Sequence, residues 1–315
     1  MLSRYGALAG ELGVDGQLAE RIAHQLIGAA VRQQEEAQAT KSERALQMLI
    51  VGGAGKMGRW LGGFFVSQGH GVTTLDPYGP VPGFAAATHL GAAVREAEVV
   101  LIATPLAPGK QVLEDLLALQ PTALVADIFS LKSHVLDLLK GAAARGLRVA
   151  SLHPLFGPDV RTLSGRVMAV CDCGNAAAAD QVEALFRDTA LTITRLPVER
   201  HDDFMQYVLG LSHLVAILFA TTLTKSGRAF ADLAAMASTT FYKEARTAAE
   251  VARENPYLYF EIQNLNRHSA ELFALVAESL AQIEAAALAD GPERFVELME
   301  RGRAYFPETL PAELG

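Results

Sequence analysis

Cysteine, net positive charge and long apolar runs are what this chain has little of, and each shortage removes a class of function. Only two cysteines stand in 315 residues, Cys171 and Cys173. Spaced i, i+2 in a strand-like run, they point to one face, where a disulfide is geometrically poor. No further ligands cluster beside them, so no metal is expected. They read as reduced thiols of a cytoplasmic protein. Lysine and arginine total 27 against 35 acidic residues, a formal charge of −8. A nucleic-acid binder would carry a basic field instead, although a local group of arginines can still hold a small anion. No unbroken run of about 18 apolar residues and no signal-peptide pattern are visible, so neither a membrane span nor export is expected.

What is present is a large apolar inventory, 50% of the chain, enough for two cores. Residues 1–45 read as a helical extension, with Ala19, Ile22, Ala23, Leu26, Ile27 and Ala30 at helical spacing. A polar stretch follows from Gln33 to Glu43, a linker or an exposed helix end. Such a short element must pack on the rest of the protein or on a partner chain. From residue 48 the pattern changes to strands at 48–51, 72–75, 99–103, 123–128, 148–152, 167–173 and 191–196. Helical stretches separate several of them, beginning with Lys56 to Ser67. Near-continuous apolar strands alternating with helices indicate a doubly wound parallel sheet covered on both faces. After Pro197 only helical patterns remain, at 201–225, 230–252, 257–286 and 292–305. The expected layout is an extension (1–45), a sheet domain (46–197) and an all-α domain (198–315). The helical stripes of that last domain exceed what one sheet face can cover, so a homodimer is expected.

Gly53-Ala54-Gly55-Lys56-Met57-Gly58 matches G-x-G-x-x-G at the place where a strand gives way to a helix. The first glycine permits the turn, the second lets backbone approach a pyrophosphate, and the third lets helix and strand pack closely. The free amides of Lys56 and Met57 at the helix start then face the phosphates. Asp76 ends the next strand, 18 residues after Gly58. A carboxylate there suits a ribose hydroxyl and repels a 2′-phosphate, and no arginine lies beside it. This is a Rossmann-type site for NAD rather than NADP. Ligands of such sheets lie at the carboxyl ends of the strands. Reading those ends yields Thr104 and Pro105, then Ser130 and Lys132, then His153. A histidine titrates near neutral pH and can take a proton while hydride leaves the same carbon centre. A serine hydroxyl can orient both the imidazole and the substrate oxygen, and can also cap a helix.

Together these residues resemble the prephenate dehydrogenase family, in particular the dehydrogenase half of the bifunctional type that carries a chorismate mutase. The resemblance rests on Ile50 to Gly58, Asp127-Ile128-Phe129-Ser130-Leu131-Lys132, Leu152 to Asp159, Leu211-Ser212-His213 and Asn255-Pro256-Tyr257-Leu258-Tyr259. It implies a Rossmann domain followed by a helical dimerisation domain, with residues 1–45 a remnant of the last mutase helix and without mutase activity. It also implies a reaction. Prephenate passes hydride from C4 to NAD, its hydroxyl proton moves toward His153, and loss of CO2 completes aromatisation. Ser130 would bond the hydroxyl, His213 would be a polar contact in the substrate pocket, and Tyr259 a ring lining the pocket for the substrate side chain. One position departs from the family pattern. Glu250 stands where an arginine usually binds a substrate carboxylate. A glutamate about 5 Å from that group would cost roughly 3 kcal/mol at an effective dielectric near 20. Either Arg246, Arg253 or Arg161 supplies the charge, or the substrate carries a cation, as arogenate or 4-amino-4-deoxyprephenate would. Two other classes stay open: a non-catalytic NAD-binding regulatory protein, and a reductase on the same plan, whose usual catalytic lysine has no clear counterpart near Lys225 or Lys243.

Overall fold

The computed structural model describes residues 8–13, 15–38, 42 and 44–308. Eight strands form one sheet: β1 Gln47–Val51, β2 Gly71–Leu75, β3 Ala85–Ala86, β4 Val99–Ile102, β5 Leu124–Asp127, β6 Val149–Pro154, β7 Val167–Asp172 and β8 Thr192–Pro197. Their order is β3-β2-β1-β4-β5-β6-β7-β8. Seven were legible as apolar runs. β3 is two exposed alanines and leaves no pattern. All pairings are parallel except β6–β7. The reason is local: residues 155–166 form no helix, and a parallel return needs a crossover.

β4 and β5 are buried along their whole length, as central strands covered on both faces must be. On one face Ile50, Leu101, Ala126 and Leu152 pack with Leu61 and Phe65 of the helix Lys56–Ser67 and with Val182 of the helix Ala176–Ala184. Leu61 and Phe65 have no exposed surface, each contributing about 1.5–3 kcal/mol of apolar burial. A chain of rings extends this layer. Phe64 stacks on Phe186 at 5.3 Å, and Trp60 meets Phe156 edge-on at 5.3 Å.

The chain divides into two compact units. One contains all eight strands. The other contains residues 130–137, which lie inside the expected sheet span, and everything from Val198 onward. Its helices are Val198–Met205, Ser212–Lys225, Phe230–Ala234, Thr239–Arg253, Pro256–Leu265, Ser269–Ala287 and Glu293–Tyr305. Two expected long helices are broken by side-chain caps. Ser238 accepts from the Phe241 amide and starts Thr239–Arg253. Asn266 ends Pro256–Leu265, and its side-chain oxygen accepts from the His268 amide. Between Met205 and Ser212 the helix widens into a π-helical stretch, Gln206–Leu211, which the apolar periodicity did not signal.

Among the described residues, one helical run, Val198–Lys225, is long and apolar enough to cross a membrane by length and composition. Polar residues such as Gln206 and His213 interrupt it, so no unbroken apolar run revealed it in the sequence. Upstream of the sheet, the helix Gly16–Gln38 extends six residues into the polar stretch that begins at Gln33. Ile22 and Leu26 are largely exposed.

Candidate active site

The sheet unit builds a candidate nucleotide site at the carboxyl ends of β1, β4, β5 and β6. Val51 pairs with Ile102, Ile102 with Asp127, and Asp127 with Ser151. The residues just beyond these partners therefore share one rim: Gly52 and Gly53, Ala103 and Thr104, Ile128 and Phe129, Leu152 and His153. His153 lies three strands from the glycine loop, about 14 Å at normal strand spacing, a span that suits an extended dinucleotide. Its face of the sheet also carries Asp127 and Ser151, both fully buried. The Ser151 hydroxyl has no hydrogen-bond partner, and neither does the buried hydroxyl of Thr104.

The glycine loop fits a pyrophosphate for steric reasons. Gly52 has φ of 86°, and a Cβ on it would lie 2.8 Å from the backbone of Ala103 and Thr104. A Cβ on Gly58 would run into the Gly52 carbonyl. Gly55 is exposed at the N-cap of the helix Lys56–Ser67, so the first amides of that helix open outward. Asp76 holds the loop from the next strand: its Oδ2 accepts from the Ala54 amide at 2.8 Å and its Oδ1 from the Tyr78 amide at 3.0 Å. Each oxygen keeps a lone pair for a ribose hydroxyl. Pro105 is the N-cap of the helix Leu106–Ala118 and sets the chain beyond Thr104. Arg161 is exposed and lines a cavity of about 420 Å³ with Arg59, Trp60 and Gly63.

The helical unit carries a second polar system. Asp202, 2% exposed, accepts from the Lys132 amide at 2.9 Å, from the Ser133 amide at 2.6 Å and from the Ser133 hydroxyl at 2.5 Å. His201 Nδ1 lies 2.7 Å from Oδ1, the oxygen that also accepts from the Lys132 amide. Burial pushes the Asp202 carboxyl up, but His201, Ser133 and the Lys132 amide outweigh it and hold it far below the usual carboxylate range. This clamp fixes the segment bearing Ser130 and Lys132. Lys132 is 1% exposed, so it is not a solvated surface residue. Further along the same helical run, His213 and Tyr259 are brought together with ring centroids 4.5 Å apart. Burial lowers the His213 pKa, and burial together with Glu254 raises that of Tyr259. At neutral pH both rings are therefore uncharged. Arg246 and Glu250 are exposed on Thr239–Arg253, whose buried side is Ala245 and Ala248. Among the described residues, neither Arg246 nor Glu250 forms an ion pair.

Two family models match. The prephenate dehydrogenase nucleotide-binding domain covers residues 83–190 and the prephenate dehydrogenase dimerization domain covers 197–301, together more than half of the chain. The chain belongs to the prephenate dehydrogenase family. A 4-amino-4-deoxyprephenate dehydrogenase of Streptomyces pristinaespiralis is 26% identical over 271 residues, covering 82% of this chain and 91% of that protein. A probable arogenate/prephenate dehydrogenase of Methanocaldococcus jannaschii is 22% identical over 273 residues, covering 83% of this chain. This chain spans only 61% of that relative's length. Among solved structures, prephenate dehydrogenase of A. aeolicus in complex with hydroxyphenyl propionate and NAD+ superposes with a TM-score of 0.65 at 17% identity, covering 84% of this chain and 98% of that one. That likeness supports the fold: a Rossmann-type, mainly parallel sheet followed by a helical domain.

Within this prephenate dehydrogenase fold, the sheet unit holds His153, Gly53, Gly55, Lys56, Met57, Gly58, Asp76, Thr104, Pro105 and Arg161, the last in the separate cavity beside Arg59. The helical unit holds Ser130, Lys132, His213, Tyr259, Arg246 and Glu250. Sequence reasoning passed over Gly52, whose signal was the doubled Gly52-Gly53 at a strand end. It also passed over Asp202. An adjacent His-Asp pair opening an otherwise apolar helical run could have marked it.

Proposed function

We propose that this chain catalyses the oxidative decarboxylation of a prephenate-class cyclohexadienyl dicarboxylate; with prephenate itself the product is 4-hydroxyphenylpyruvate. The cofactor is NAD, which supplies a hydride acceptor when bound. Gly53, Gly55, Gly58 and the amides of Lys56 and Met57 would hold its pyrophosphate, and Asp76 its ribose. The observation that carries the reading is the register that puts His153 on the same rim as the glycine loop. His153 draws the C4 hydroxyl proton as hydride leaves C4. The bond from the ring to its carboxylate then breaks, CO2 departs, and the freed electron pair completes the aromatic ring. The proton returns to the phenolic oxygen, so none is gained or lost overall. By the family resemblance, Ser130 would orient the hydroxyl, and His213 and Tyr259, both uncharged, would contact the substrate's side chain.

A second substrate reading has its own support. Glu250 replaces a cation that would bind a substrate carboxylate, and the relative that matches this chain over 91% of its own length is named for an amino-bearing substrate. A glutamate tolerates an amine where it repels a carboxylate. The matched dimerization domain and the exposed apolar side chains of the helical unit support a homodimer, and the buried thiols Cys171 and Cys173, which form no disulfide, fit a cytoplasmic setting. The test follows NADH absorbance with prephenate, arogenate and 4-amino-4-deoxyprephenate. Absence of turnover with all three would overturn the reading.

A further inference from the structure

Inside the helical unit, two helical segments run antiparallel and exchange contacts at successive levels. The Asn266 side-chain amide donates to the Asp202 carbonyl at 3.1 Å, the Gln263 amide to the Gly210 carbonyl at 2.9 Å, and Tyr259 meets His213. Gln206 lies four residues before Gly210, about one turn back along the π-helical stretch. Three buried polar atoms along this seam have no hydrogen-bond partner: Gln206 Oε1, Gln263 Oε1 and His213 Nδ1. Gln206 is 7% exposed.

The orientation of Gln263 follows from chemistry. The Gly210 carbonyl can only accept, so the amide nitrogen must face it and the oxygen must turn away. A Cβ at Gly210 would lie 3.1 Å from Leu272, so glycine lets the widened turn fit between its neighbours. Buried acceptors without donors cost free energy in the empty protein, and that cost is removed by a ligand that brings donors. A keto group or a carboxylate brings only acceptors. An ammonium brings three donors and no acceptor. A neutral His213 can add a third acceptor to the two amide oxygens.

We propose that Gln206 and Gln263 form an acceptor pair that recognises a protonated amine on the cyclohexadienyl substrate and makes this chain prefer an amino-bearing substrate over prephenate. The inference rests on the proposed function and names its specificity-determining residues. Its test compares kcat/KM for prephenate, arogenate and 4-amino-4-deoxyprephenate in the full-length protein and in Gln206→Met and Gln263→Met. The wild-type chain should favour one amine over prephenate, and each variant should lower that preference at least tenfold. A loss read with arogenate places the amine on the side chain, and one read with 4-amino-4-deoxyprephenate places it on the ring. Gln206→Met breaks no side-chain hydrogen bond, so it decides the matter if Gln263→Met does not fold. A wild-type preference for prephenate, or an unchanged ratio in Gln206→Met, overturns the acceptor pair while leaving the dehydrogenase intact. No turnover of any substrate by the wild type removes both.

Discussion

The sheet unit and the helical unit solve the burial problem differently. In the sheet unit, consecutive strands bury every side chain, as in Val99–Ile102 and Leu124–Asp127, and a ring cluster seals one layer. The helix Glu293–Tyr305 buries no residue at all, and Ser212–Lys225 buries only Ala216. Phe204, Val208, Val215, Leu218 and Phe260 are all about half exposed or more. Exposed rings and branched chains of this kind mark an interaction surface. The sheet unit is thus a finished scaffold, whereas the helical unit leaves apolar surface uncovered, and it is the part that the prephenate dehydrogenase dimerization domain matches.

The largest way to sharpen this contrast is His153→Asn. Loss of the base should lower kcat about a thousandfold while NAD affinity and thermal stability of the scaffold stay close to wild type. Stopped-flow NADH absorbance and NAD titration measure the two; unchanged turnover takes His153 out of the mechanism. In the helical unit, Asp202→Asn should cost roughly 4 kcal/mol, because the buried clamp on residues 130–137 loses its charge. Its pH dependence has a fixed sign. The carboxyl is depressed by folding, so its contribution is complete above the unfolded value near 3.9 and fades as pH falls toward the lower folded value. Urea unfolding between pH 6 and pH 3 should show wild type losing more stability than the variant, and parallel losses would refute the clamp.

Gly52→Ala strikes the sheet unit alone. The positive φ and the overlap with residues 103 and 104 should cost roughly 3 kcal/mol, read as a lower urea midpoint together with weakened NAD binding. Val215→Glu strikes the incomplete unit. It should weaken self-association about a hundredfold by sedimentation and leave NAD affinity unchanged; a variant that associates as tightly as wild type would put that face outside any interface. The smallest expected effect is Glu250→Arg, which should raise kcat/KM for prephenate relative to an amine substrate about tenfold.

The sheet was largely readable because buried strands leave near-continuous apolar runs, and Asp76 and the glycine loop announce themselves by spacing. Period alone could not show that β7 runs antiparallel; that depends on residues 155–166 forming no helix, a fact about a loop. The helical unit was harder. Its apolar stripes gave the helices, but Ser238 and Asn266 divided two of them by capping, and the π-helical stretch at Gln206–Leu211 has no signature at the helical period. His213 and Tyr259 came to attention through a motif. Gln206 and Gln263 did not, because a glutamine on a helix looks solvated until its burial and its partners are known.

The eight residues 130–137 have a consequence for anyone who would rebuild this molecule. The polypeptide passes into the helical unit at Ser130, returns at Leu138 and leaves again at Val198, so three peptide bonds join the units rather than one. A truncation after Pro197 would keep the amides of Lys132 and Ser133 but discard the carboxylate they bind. A chimera that exchanges substrate preference between relatives would need two crossovers, carrying this short inserted stretch from the same parent as the C-terminal helices. Recombination at a single point should yield misfolded hybrids, while the paired graft should behave as one transplantable piece.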